Sequence, residues 1–282
     1  MNGYLILGSD LLKNWDKSMD DIKKEKDLAR YIIGSLILIF IFGAIFGAVL
    51  GLFVGPVQIV LDAIKIPILF ILSSLISLPV YYVMDALTGG KKGLGQIAAL
   101  MLSATALATI ILVGFVPILL LFILTTNHYA TIVMLTVVIC GIGGFYGILA
   151  LLSGYKYIHD DKNWQSSMVI GGITYMFAGT QLSWVLRPYL NPYEQFIRMP
   201  RGNFYVAMFE FMRAEPDISS LFMAFLVLAI IIGVIFVVIK QVSTGNAPVT
   251  QQQQKPPPQD IPNNNAPQEA NRPPPVISAH GR

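Results

Sequence analysis

The chain is expected to be an all-α, polytopic transmembrane helical bundle of about six spans with a disordered C-terminal tail. Three observations predict this. Of the 282 residues, 55% are hydrophobic and only 12% charged, against about 25% charged in ordinary soluble domains. Uncharged apolar runs long enough to cross about 30 Å of hydrocarbon recur through residues 31–240. Past residue 240 the composition turns to Gln, Pro and Asn, which cannot bury enough apolar surface to offset chain entropy. The expected layout is a cytoplasmic amphipathic segment (1–30), a transmembrane domain (31–240) with an outer loop at 187–217, and a tail (241–282). The lone Cys140 excludes an internal disulfide or a multi-cysteine metal site within one chain.

In Met1–Arg30, Leu11, Leu12, Trp15, Met19 and Ile22 recur at helical spacing. Acidic residues come early and Lys23, Lys24, Lys26 and Arg30 late, an order that suits a helix dipole. This predicts an amphipathic helix, either flat on the cytoplasmic membrane surface or solvated with one packing face. The mixed charge ahead of the first apolar run argues against a cleavable signal.

The first span is expected at Tyr31–Phe53, where Gly43, Gly47 and Gly51 form a smooth helix-packing ridge. Small residues at that spacing admit a second helix, either a neighbour in the bundle or a second copy of the chain in a homo-oligomer. Gly55-Pro56 ends that span. Val57–Ile66, with Asp62 and Lys65, reads as a short interfacial turn or helix before Pro67 opens the second span, which ends near Leu87. Pro79 is expected to kink it. The third span is expected over Gly95–Leu124, the fourth over Tyr129–Tyr155, the fifth over Met168–Leu186 and the sixth over Ile218–Val238. Asn203–Ala214 reads as an interfacial helix in the outer loop.

With six spans, fourteen Lys and Arg fall on the side of the termini and five on the other. The positive-inside rule then places both termini in the cytoplasm.

Motifs for chemistry are sparse. His128, His159 and His280 have no paired acid or histidine at metal-binding spacing. Gly89-Gly90-Lys91-Lys92-Gly93 lacks the Gly-Lys-Ser/Thr ending of a phosphate loop, and no Gly-x-Ser-x-Gly occurs. No catalytic residue, cofactor or metal site is therefore expected, and no nucleic-acid partner. On this reading no ionisable side chain falls at the middle of a span, which speaks against a proton-coupled carrier. Gln181, Trp184, Arg187, Arg201 and Tyr205, at and beyond the end of the fifth span, form a candidate contact for lipid headgroups or a protein partner.

Several motifs carry a family resemblance. Lys65-Ile66-Pro67, Leu78-Pro79-Val80-Tyr81, Thr125-Thr126-Asn127-His128-Tyr129, Gln181 through Pro188, and Gly202-Asn203-Phe204-Tyr205 occur in that order. The run resembles a group of uncharacterised bacterial multi-span membrane proteins that is similar to the Yip family of Rab-interacting membrane proteins. The resemblance implies about five spans and a role as a membrane-trafficking adaptor, so the sixth run departs from its layout.

The leading expectation is a non-enzymatic membrane scaffold or adaptor of Yip-like type, in the bacterial cytoplasmic (inner) membrane. It would contact lipids, and proteins through its termini or outer loop. The alternative is a small-solute channel or transporter with a path lined by Ser73, Ser77, Thr105 and Thr109.

Overall fold

A computed structural model describes residues 2–159, 164–186, 203–206, 209 and 213. Within them the elements are α1 (Asn2–Lys13), α2 (Trp15–Lys23), α3 (Leu28–Gly51), α4 (Pro56–Leu87), α5 (Leu94–Gly114), α6 (Val116–Thr125), α7 (Tyr129–Ile158) and α8 (Trp164–Leu186). Every one is a helix. Five are long and apolar enough to cross a membrane: α3, α4, α5, α7 and the Ser167–Leu186 part of α8. The run at 218–238, the 241–282 tail, and Arg187 and Arg201 lie outside the described residues.

The long helices alternate in direction. One end of the bundle, here the near end, gathers α2, the start of α3, the end of α4, the start of α5, the end of α7 and the start of α8. The far end holds the α3–α4 turn at Gly55 and the α6–α7 turn at Thr126–His128. Apolar side chains exposed on the outside of the long helices, among them Leu75, Leu121, Ile173 and Phe177, suit a lipid environment.

α3 and α4 form the spine. The glycine ridge of α3 is used inside the chain. Gly43 lies against Pro67, Gly47 against the Asp62 carbonyl, and Gly51 against the backbone of Gln58 and Ile59. A second copy could reach this ridge only by displacing α4.

α4 differs from the sequence expectation. Residues 57–66 are not a separate interfacial piece, because one 32-residue helix runs through both Pro67 and Pro79. An interior proline normally breaks a helix at a cost of about 3 kcal/mol. Here Pro67 sits in the notch left by Gly43, with 3.3 Å contacts to where a side chain would start. That contact draws the preceding turns into the bundle, and Asp62 and Lys65 are both 0% exposed. An ionisable pair is therefore buried in the first turns of a helix long enough to span, away from its middle.

The third expected span also differs. It is two helices, α5 and α6, broken at Phe115 ahead of Pro117. Proline in the first turn fits the start of a helix and cannot continue the preceding one. α6 is too short to cross alone. α5 packs on α7 through Gly143, which meets Leu112, and Gly147, which meets Ala108.

The N-terminal helices are packed on the bundle. Leu7, Leu11, Met19 and Ile22 are at most 1% exposed, whereas Leu12 of the expected stripe is 53% exposed. Gly8 touches Leu38 and Ile110. Leu38 lies about 15 Å up α3 at helical rise, so α1 leans along α3 and α5 rather than lying flat across the end. α2 is latched by Gln96, whose amide donates to the carbonyls of Ile22 and Lys23 at 3.1 and 3.0 Å while its oxygen accepts from the Gly93 N–H. On the outer face of α2, Asp20 bonds Lys24 at 2.6 Å and holds its ammonium above the usual lysine range. Gln96→Leu removes the latch and its two hydrogen bonds to α2, a loss of about 1–3 kcal/mol. Faster hydrogen exchange confined to α2 is the expected result.

Candidate functional site

The buried face of α4 is polar at both ends and through its middle, with one apolar stretch at Ile66–Leu69. Gln58, Asp62, Lys65, Ser73, Ser74, Ser77, Tyr81 and Asp85 are all at most 2% exposed. Their spacing is mostly three or four residues, so they form a line that coils around the helix. From Asp62 to Asp85 the line rises about 34 Å at helical pitch, slightly more than the roughly 30 Å of a bilayer's hydrocarbon core.

At the far end, the Gln58 amide donates to Asp62 Oδ1 at 2.7 Å. The other carboxylate oxygen, Oδ2, is buried with no hydrogen-bond partner. Lys65 sits three residues on as its countercharge. Gly47 and Gly51 make the room, since any side chain there would strike the α4 backbone.

In the middle, the Ser73 hydroxyl donates to the Leu69 carbonyl at 2.7 Å. Ser74 pairs with Thr105 at 3.0 Å, and Thr105 with Tyr175 at 3.2 Å, which ties α4, α5 and α8 together. Thr105 and Tyr175 also line a cavity of about 40 Å³ with Phe70, Met101, Gly147 and Leu151. Of the other side chains in the expected path, Ser77 Oγ is buried without a partner, and Thr109 donates to the carbonyl of Ala106 in its own helix.

At the near end three helices close on Asp85. His159 Nε2 meets Asp85 Oδ1 at 2.5 Å, and the Tyr155 hydroxyl donates to the same oxygen at 3.0 Å. His159 Nδ1 lies 2.9 Å from the Tyr155 carbonyl, and the two rings stack at 4.3 Å. Gly90 packs directly on the Asp85 carboxylate, while Thr88 on the same turn bonds Ser167 of α8 at 2.9 Å. Next along α4, the Tyr81 ring lies 6.1 Å from that of Tyr155, and its hydroxyl is buried without a partner. Gly171 of α8 leaves space for the Tyr81 ring.

No protein-family model, curated protein or solved structure matches the chain. Function has to be read from these side chains.

The contact cluster expected around the end of α8 is only partly in view. Trp184 is 9% exposed, Gln181 is half-buried, and Tyr205 is 51% exposed. The Tyr205 hydroxyl meets Thr180 Oγ1 at 3.0 Å. α8 runs antiparallel to α4, with Gly171 at Tyr81 and Gly179 at Ser73. Continued at the same rise, this register brings Trp184 level with Ile68, close to the Asp62–Lys65 end of the line.

The Asp85–His159 pair was not found from the sequence, where the histidines read as scattered. A signal existed: Tyr155 and His159 are four apart on the last turn of one span, and Asp85 is on the last turn of another that ends on the same side.

Proposed function

We propose that the chain is a non-enzymatic integral membrane protein of the channel or transporter class, with the polar face of α4 as the route of a small ion or polar solute. The observation that carries this is Asp62, fully buried in a spanning helix with one carboxylate oxygen unpartnered. A buried charge is costly and is retained mainly where it works. A purely adhesive carboxylate would have both oxygens satisfied, as the hydroxyls of Ser73, Ser74, Thr105 and Thr109 are. The expectation of a scaffold rests on the absence of catalytic or intramembrane ionisable groups beside conspicuous packing and terminal features.

The scaffold reading keeps one observation in its favour. α2 is clamped by Gln96 and its charged side chains Asp16, Lys17 and Lys24 are turned outward, a rigid surface for a partner. The Yip-like resemblance, the bacterial inner membrane and cytoplasmic termini belong to both readings. So do contacts with lipids at the far end and with proteins through the termini.

Reconstitution into liposomes tests the primary reading. Flux of at least one member of a panel of protons, salts and small polar solutes is expected to exceed that of protein-free vesicles, and Asp62→Asn to lower it by about tenfold or more. Thr109→Val, off the line, is expected to leave it unchanged. No flux above protein-free vesicles, together with a partner recovered from native membranes only when the outer charges of α2 are intact, would favour the scaffold.

A further inference from the structure

The geometry points to the proton as the species carried along α4, bound at the Asp85–His159 pair at the near end and on Asp62 at the far end. This rests on the pathway reading above and names its substrate.

The near-end pair is built to hold one exchangeable proton. His159 Nδ1 faces the Tyr155 carbonyl, which can only accept, so Nδ1 carries a hydrogen. Nε2 faces a carboxyl oxygen. One further hydrogen lies between them, on Nε2 as an imidazolium–carboxylate pair or on Oδ1 as a neutral pair. Moving it across keeps the hydrogen bond. Removing it turns a ring lone pair toward a carboxylate, so the bond survives only while the proton is present.

The groups facing the pair are the Tyr81 and Tyr155 hydroxyls from α4 and α7, with Thr88 and Ser167 beside them. No lysine or arginine contacts it among the described residues. The pair is 1% and 9% exposed, yet it stands at the end of two helices, next to water.

Unspent hydroxyls lead inward from it. Tyr81 and Ser77, each one turn further along α4, are buried with no partner. A hydroxyl both donates and accepts, so once a neighbouring hydroxyl or an entering water comes within hydrogen-bond reach it can take a proton on its oxygen, release its own hydrogen to the next acceptor and rotate back. That hand-over needs no pore. Among the described residues the packing at two points of the line is too close for a hydrated metal ion: Gly171 is pressed on the Tyr81 ring and Gly47 on the Asp62 carbonyl. The cavity of about 40 Å³ beside Thr105 and Tyr175 has room for a few waters only.

Between Lys65 and Ser73 the line is interrupted. There α4 buries Ile66, Pro67 and Leu69, an apolar layer about 12 Å long. The structure is that of a closed path, with one proton site on each side of this layer. Transfer across it requires water to enter or α4 to move.

The full chain is placed in liposomes holding a pH-sensitive dye, and a potassium gradient with valinomycin makes the lumen negative. Proton influx is expected to exceed that of protein-free vesicles. Asp62→Asn and, separately, His159→Gln are each expected to lower it by about tenfold or more. Glutamine can still donate to Asp85, so a purely structural histidine would be rescued by it. Asp62→Asn keeps the test open should the histidine variant not fold. Influx no greater than in protein-free vesicles, or equal to wild type in Asp62→Asn, overturns the inference. The solute panel separates the two failures: solute flux without proton flux overturns the choice of proton alone, and neither flux overturns the pathway as well.

Discussion

Gly47→Leu is expected to dismantle the bundle. Even the first carbon of a side chain at 47 would overlap the Asp62 carbonyl of α4. The obstacle is backbone, so no rotamer change relieves it, and α3 and α4 must separate along their whole contact. Overpacking a tight interior costs about 1–3 kcal/mol, and more where nothing can yield. The separation would also open Pro67 and Gln58, which lean on Gly43 and Gly51. Size-exclusion chromatography in mild detergent is expected to give aggregate in place of a sharp peak. Gly141→Leu supplies the comparison, because nothing lies within 4 Å of a side chain there. It should behave as wild type, since residue 141 is exposed on α7. Equal behaviour of the two variants would mean that α3 and α4 do not meet along the glycine ridge.

Asp85→Ala is the second large effect. It removes the carboxyl oxygen that both His159 and Tyr155 bond. Leaving buried polar groups without a partner costs about 1–3 kcal/mol each. A lowered melting temperature in detergent is the expected result. His159→Ala in the same background should then cost little more, because its partner is already gone. Additive losses from the two changes would show that the pair does not act as a unit. A stability no different from wild type in Asp85→Ala would place Asp85 outside the packed end of the bundle.

Much of the fold was legible in the residues. The apolar runs located α3, α7 and α8, and the four-residue spacing of glycines marked the α3 packing face. Two prolines behave in opposite senses to their sequence context. Pro67 reads as the start of a span, yet its helix continues, because Gly43 on another helix accommodates it. Pro117 reads as internal to a span, yet the chain breaks there, with no glycine notch facing it among the described residues. The difference is tertiary, and a single helix's sequence does not contain it. The polar line shared that blindness. Asp62 and Lys65 looked interfacial only because α4 had been cut at Pro67, and His159 looked isolated only because Asp85 lies 74 residues away. The register of α8 on α4 sets Gln181 level with Ile71, beside the middle of the same line, and Trp184 level with Ile68, toward its far end.

The central claim is that the first turns of α4 lie within the membrane and carry Asp62 there. Ile64, on the outward face beside Asp62 and 39% exposed, is the position to probe. In a Cys140→Ser background, Ile64→Cys is treated in sealed and in opened vesicles with a membrane-impermeant thiol reagent, with Asn127→Cys in the α6–α7 turn as the accessible reference. The account predicts that residue 127 is labelled and residue 64 is not, from either side. Labelling of residue 64 as fast as residue 127 would return residues 57–66 to the water interface and contradict the account.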